Sequence, residues 1–212
     1  MEDVIREIGA VIREVQSREQ DGEPVRVVVA TRTYGATVED LWDALTNAER
    51  IPRWFLPIAG ELRPGGHYQF QGNAGGRITR CEPPRLVAVT WEFGGGISWV
   101  AVKLSPDPGG ARLELEHIVP VDDHWERFGP GAVGVGWEMA LMSLGRHLAT
   151  GASADPASAA AWSASEAGKA FMRASGEDWG RAAIADGADP HWARAAAART
   201  TAFYLGEPPA ES

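Results

Sequence analysis

Apolar and polar positions change period several times along this chain, and each change marks an element. Val4, Ile8, Val11 and Val15 recur at helical spacing, with Ile5 and Ile12 beside them. The motif VIRE stands at 4–7 and again at 11–14, one heptad apart. This spacing predicts one amphipathic helix over 2–19, the core of an N-terminal segment 1–20 that DGEP at 21–24 brings to an end. Two heptads are too short for a coiled coil by themselves. The stripe therefore either docks on its own domain or meets a second copy in a homodimer. Val25–Tyr34 reads as a β-branched strand with Val25, Val27 and Val29 on one face. Thr37, with Asp40 three residues on, caps a helix whose buried side is Leu41, Leu45 and Trp42. Asn47 and Pro52 stop it.

Beyond Gly65 the period falls to two. His67–Gln71 puts Tyr68 and Phe70 on one face; Gly75–Glu82 follows a glycine-rich turn, and Pro83-Pro84 breaks it. In Arg85–Phe93, Val87, Val89, Trp91 and Phe93 point one way and Ala88, Thr90 and Glu92 the other. Gly94 to Gly96 predict a hairpin turn into Ile97–Leu104. SPDPGG at 105–110 then leads to Arg112–Val119, where Leu113, Leu115 and His117 share a face. Strands so closely connected make an antiparallel meander. Pro130–Ala149 returns to helical spacing through Val133, Trp137, Leu141, Leu144 and Leu148. Its Gly131, Gly134 and Gly136 each weaken the helix by roughly 1 kcal/mol against Ala, but let a neighbour approach closely. Residues 150–212 are Ala-rich and strand-free. Asp155-Pro156, Ser175 with Asp178, and Asp189-Pro190 predict helices near 156–174, 176–186 and 190–204. This helical extension is expected to dock on the first 150 residues, with Trp162 and Trp179 either packed there or lying over an opening.

Composition narrows the class. Twenty-nine acidic against 20 basic residues give a net charge of −9, and no basic run or basic-aromatic stripe occurs, so nucleic acid is not an expected partner. Cys81 stands alone, which rules out an internal disulfide and fits a reducing compartment. Glu2, Asp3, Arg6 and Glu7 interrupt any signal-like apolar run, and no segment approaches the roughly 20 apolar residues of a membrane span. These features predict a cytoplasmic protein with no membrane partner. Nine Trp are many for 212 residues, and large rings with one polar edge suit a partly wet cavity as well as a core.

Several segments together resemble the SRPBCC (START-like, helix-grip) superfamily. They are LWDALTN at 41–47, PRWF at 52–55, LRPGGHYQF at 62–70, CEPPRLVAVTWEF at 81–93, LELEH at 113–117 and GWEMALMSL at 136–144. The branch related to the activator of the heat-shock-protein-90 ATPase is the nearest in pattern. The resemblance covers 25–149 and implies an α+β helix-grip fold, a curved antiparallel sheet wrapped around the long helix. It also implies an internal pocket. It says little of function, because this fold hosts carriers, cyclases, hydratases and co-chaperone modules.

A space between a curved sheet and a long helix is walled by inward strand positions and the facing helix stripe. That nominates Trp54, Phe55, Tyr68, Phe70, Val89, Trp91, Phe93, Leu115, His117, Trp137 and Leu141 as ligand-binding residues. The expected partner is a small apolar or aromatic molecule, carried in metabolism or stress. In a second reading His117 is the acid-base group of a cyclase or hydratase, with Tyr68 or Trp91 orienting the substrate. A co-chaperone-like interaction is a third, implied by the resemblance alone. His117, Asp122, Asp123 and His124 lie close in sequence but match no metal-ligand spacing, and VPVDDHWERFGP reads as a solvated turn. Gly72, Gly75 and Gly76 precede no helix and so form no phosphate cradle. No nucleophile elbow, Cys-His arrangement or carboxylate pair is present, so no catalytic residue, metal or cofactor is assigned.

Overall fold

The computed structural model describes residues 2–208. Its elements run α1 (Glu2–Gly9), β1 (Ile12–Gln20), β2 (Glu23–Tyr34), α2 (Val38–Thr46), a short 3-10 turn (Ile51–Arg53), β3 (Ile58–Gly60), β4 (His67–Phe70), β5 (Gly75–Glu82), β6 (Leu86–Phe93), β7 (Gly96–Asp107) and β8 (Gly110–Pro120). The helices α3 (Asp123–Phe128), α4 (Gly131–Thr150), α5 (Pro156–Ala164), α6 (Glu166–Ala185) and α7 (Pro190–Leu205) follow. The strands form one sheet in the order β1-β2-β8-β7-β6-β5-β4-β3, a meander from β3 to β8 whose pairings are antiparallel. This is an α+β fold of the SRPBCC type.

Three local expectations are overturned. The helix over 2–19 is a helix only to Gly9; Ile12–Gln20 is a strand. Val11 and Val15 are four apart, a spacing that satisfies one helical turn and two strand repeats alike, so the pattern was ambiguous. Asp21 and Gly22 decide it: both have positive φ, 54° and 84°, the backbone of a two-residue hairpin turn that joins β1 to β2. The segment read as a solvated turn at 119–130 contains α3, capped by Asp122, whose carboxylate accepts the Trp125 N–H at 2.9 Å. In the tail, Ser165 rather than Ser175 starts the middle helix. Its hydroxyl accepts the Gly168 N–H at 3.1 Å, while Ser175 lies wholly buried inside α6.

The described residues pack as two compact units, to both of which β2 and α4 contribute residues. One unit combines segments 2–30, 119–139 and 155–208. Its core holds Val28, Phe171, Met172 and Trp179, and Gly134 and Gly176 sit where helices touch. A Cβ at Gly134 would lie 2.3 Å from the Trp179 indole, and one at Gly176 would lie 2.5 Å from Thr201 Oγ1. Arg13 points inward from β1 and grips the fully buried Glu138 of α4 through two hydrogen bonds of 2.7 and 2.6 Å. Asp178 of α6 lies 3.2 Å away.

The other unit comprises 31–118 and 140–154. In it, β7 and β8 turn Val100, Val102, Leu104, Leu113, Leu115 and His117 to one face. Lys103 pairs with Glu114 and Glu116 on the other. Leu141 and Leu144 of α4 are buried, and the Tyr34 hydroxyl donates to the Leu141 carbonyl at 3.0 Å. Arg50 donates to His147 Nε2 at 3.2 Å, and His147 Nδ1 lies 2.8 Å from the Ala152 carbonyl. These bonds hold the end of α4 to the α2 side of this unit.

Candidate functional site

The sheet face of the unit that holds β3 to β8 carries a row of rings. The 3-10 turn, stopped after Pro52 and Arg53, delivers Trp54 and Phe55 together; the Trp54 indole N–H donates to the Ala44 carbonyl at 2.8 Å and fixes its ring under α2. Phe55 meets Phe70 edge-on at 4.9 Å, and Phe70 lies 5.4 Å from Tyr68 and 5.8 Å from Trp91. Trp91 then approaches His117 at 6.1 Å. Such tilted and edge-on contacts are the preferred geometry of aromatic pairs. Alternation does the placing. Tyr68 and Phe70 are two apart on β4, Val89 and Trp91 two apart on β6, and Val89 pairs with Val100, which pairs with His117.

Two polar groups are set into this row. The Tyr68 hydroxyl donates to the Thr90 carbonyl at 2.7 Å, and its burial, with the charge of Glu92, pushes its pKa well above the usual phenol value. His117 is 3% exposed and its Nε2 lies 2.8 Å from the Ser98 hydroxyl, which in turn donates to the Trp91 carbonyl at 3.1 Å. Burial lowers the His117 pKa to about 3, so the ring is neutral near pH 7. The Ser98 hydroxyl thus links the Trp91 carbonyl to the His117 ring.

The structure therefore brings Trp54, Phe55, Tyr68, Phe70, Trp91 and His117 into one connected cluster. Val89 and Leu115 lie on the same sheet face, at paired positions beside Val100 and Val102. Phe93 stands apart at the hairpin tip, 62% exposed. Leu141 is buried in α4, and Trp137 is half-buried in the part of α4 that belongs to the other unit. Sequence reasoning missed Ser98. The signal was present: a two-residue turn at Gly94-Gly95 pairs Phe93 with Gly96, which sets Ser98 opposite Trp91.

Other candidates have structural partners. Asp122 is occupied as the α3 cap, and His124 lies 5.0 Å from the Phe128 ring. Among the described residues no cluster of three or more His, Cys, Asp or Glu is placed to hold a metal ion. Gly76 is required by the sheet, since a Cβ there would sit 2.2 Å from the Thr90 carbonyl oxygen. Burial pushes the Cys81 thiol up, away from a reactive thiolate. Among the described residues no helix is long and apolar enough to cross a membrane.

A helix-grip sheet with an aromatic face defines the class, and comparison with known proteins gives the family. The chain belongs to the family of activator of Hsp90 ATPase homolog 1-like proteins, whose profile matches residues 35–149. It is similar to CalU16 from Micromonospora echinospora. The crystal structure of that protein is 34% identical over 82% of this chain and 99% of that chain, with a TM-score of 0.68; its solution structure gives 33%, 84%, 97% and 0.71. DynU16, from the dynemicin biosynthetic locus, shares the fold at 21% identity over 60% of this chain and 48% of that chain, with a TM-score of 0.54. No curated protein matches the chain.

Proposed function

We propose that this protein holds a small, uncharged aromatic or otherwise apolar molecule against the ring row of β4, β6 and β8. The supporting observation lies on β6. Val87, Val89 and Trp91 face one side of a strand that has neighbours on both edges, yet all three remain only half-buried. Apolar residues in the middle of a sheet ordinarily lose that surface to packing. A flat guest stacked on Trp91 and Phe70 would cover it. The His117–Ser98 pair would offer that guest a hydrogen-bonding contact at one end of the row. Because His117 is neutral, a charged guest would give up its hydration with no countercharge from this pair.

An acid-base role for His117 has less support. A base lowered to about 3 takes up a proton poorly near neutrality, far from the poised value that proton transfer favours. Native mass spectrometry of freshly purified wild-type and Trp91→Ala protein tests the proposal. The expected result is an added mass on the wild type that is lost on denaturation and reduced in the variant. Clean spectra from both, with no thermal shift from a panel of neutral planar aromatics, would sink it.

A further inference from the structure

In the unit built from 2–30, 119–139 and 155–208, a cavity of about 170 Å³ lies among β1, β2, α3 and the connection from α6 to α7. It is separate from the ring row and plays no part in the function proposed above. Trp125 and Trp192 line it, their rings 6.3 Å apart and tilted by 35°. The Trp192 indole N–H donates to the Glu126 carbonyl at 2.8 Å, which holds that ring in place. Trp125 is 6% exposed, and among the described residues its own indole N–H has no partner.

Both signs of charge meet here. Glu126, Asp186 and Asp189 line the cavity together with Arg26. The Arg26 guanidinium makes one hydrogen bond, to the Val25 carbonyl at 3.4 Å, and among the described residues it pairs with none of the three carboxylates. Asp186 accepts from the Ser17 hydroxyl at 3.1 Å and Asp189 caps α7, so each is held in position with a second oxygen to spare. A site for a simple cation has no use for an arginine, and a site for a simple anion has no use for three carboxylates. The three acidic residues are exposed and Arg26 is half-buried, so the pocket is open to solvent, and the opposite charges lining it suit a molecule that carries both.

We propose that this cavity binds a small zwitterion with an ammonium and a carboxylate group, a free amino acid or its N-methylated betaine. The ammonium lies against the Trp192 face and the carboxylates of Asp186 and Glu126, since an aromatic face attracts an alkylated ammonium. The carboxylate takes Arg26 and the Trp125 N–H, both donors that lack a strong acceptor.

Tryptophan fluorescence and calorimetric titration of the full chain with glycine betaine and with glycine test the assignment. Tetramethylammonium and acetate serve as the two half-ligands, and Arg26→Gln and Asp186→Asn as variants whose folding is checked by circular dichroism. Saturable binding of at least one zwitterion is expected, stronger than either half-ligand and weakened about tenfold or more by each variant. The proposal is overturned if neither zwitterion saturates a signal. It is equally overturned if tetramethylammonium binds as well as glycine betaine and Arg26→Gln changes nothing, which would make this a plain cation site.

Discussion

At the scale of single residues, His117 has the most distinctive chemistry. It is neutral because burial penalises the imidazolium, and its Nε2 lies 2.8 Å from the Ser98 hydroxyl. A folded-state pKa of about 3, against an ordinary value of 6.5, means that the unfolded chain binds the proton first as pH falls. The stability tied to the neutral ring is therefore complete above about pH 6.5 and is lost as pH falls from there toward 3. Within that window its slope approaches 1.4 kcal/mol per pH unit. Urea unfolding of wild type and His117→Gln at pH 7 and pH 5 should show the wild type losing more stability between the two. Equal losses would mean that His117 takes up its proton in the folded state as readily as in the unfolded chain.

At the scale of elements, β1 and α4 are joined by a charge pair placed deep in the protein. Arg13 has 8% and Glu138 0% of its side chain exposed, and the guanidinium meets the carboxylate with two donors. Breaking such a pair leaves an uncompensated buried charge, at a cost of about 3–5 kcal/mol, whereas replacing both partners by apolar residues is far milder. Arg13→Met alone should accordingly destabilise more than Arg13→Met combined with Glu138→Met. Chemical denaturation of the two variants checks this, and a double variant less stable than the single one would refute it. The same helix shows why glycine stands in it. Gly134 gives up helix propensity so that the Trp179 ring can lie against the backbone, where any Cβ would collide with it.

At the scale of the whole molecule, the Ala-rich tail belongs to a core rather than trailing from one. Trp179 and Phe171 are 0% and 1% exposed, and α6 packs against α1, β1 and α7. Burying two such rings contributes roughly 3–6 kcal/mol, so removing residues 151–212 should lower the melting temperature by about 10 °C or more. An unchanged melting curve for the truncated chain would show that the tail adds nothing to stability. The net charge of −9 belongs to this scale as well, favouring solubility without specifying any contact of the fold.

Much of this architecture is written in local pattern. Strict alternation in Val87–Phe93 and Leu113–His117, the caps at Thr37, Asp155 and Asp189, and the breaks at Pro52 and Pro83-Pro84 each act over a few residues, so the sequence by itself determines those elements and the face each presents. The ring row was legible for the same reason, since position along a strand sets which side a side chain takes. Only tertiary structure could decide the rest. Val11 and Val15 suit a helix or a strand equally, and the choice falls to pairing across the Asp21-Gly22 turn. The Ser98–His117 bond depends on register between β7 and β8, and Arg13 meets Glu138 across 125 positions of chain. The cavity beside Trp125 gathers residues from both ends of the sequence. Local sequence carries no record of such meetings, because they are set by which distant surfaces bury one another.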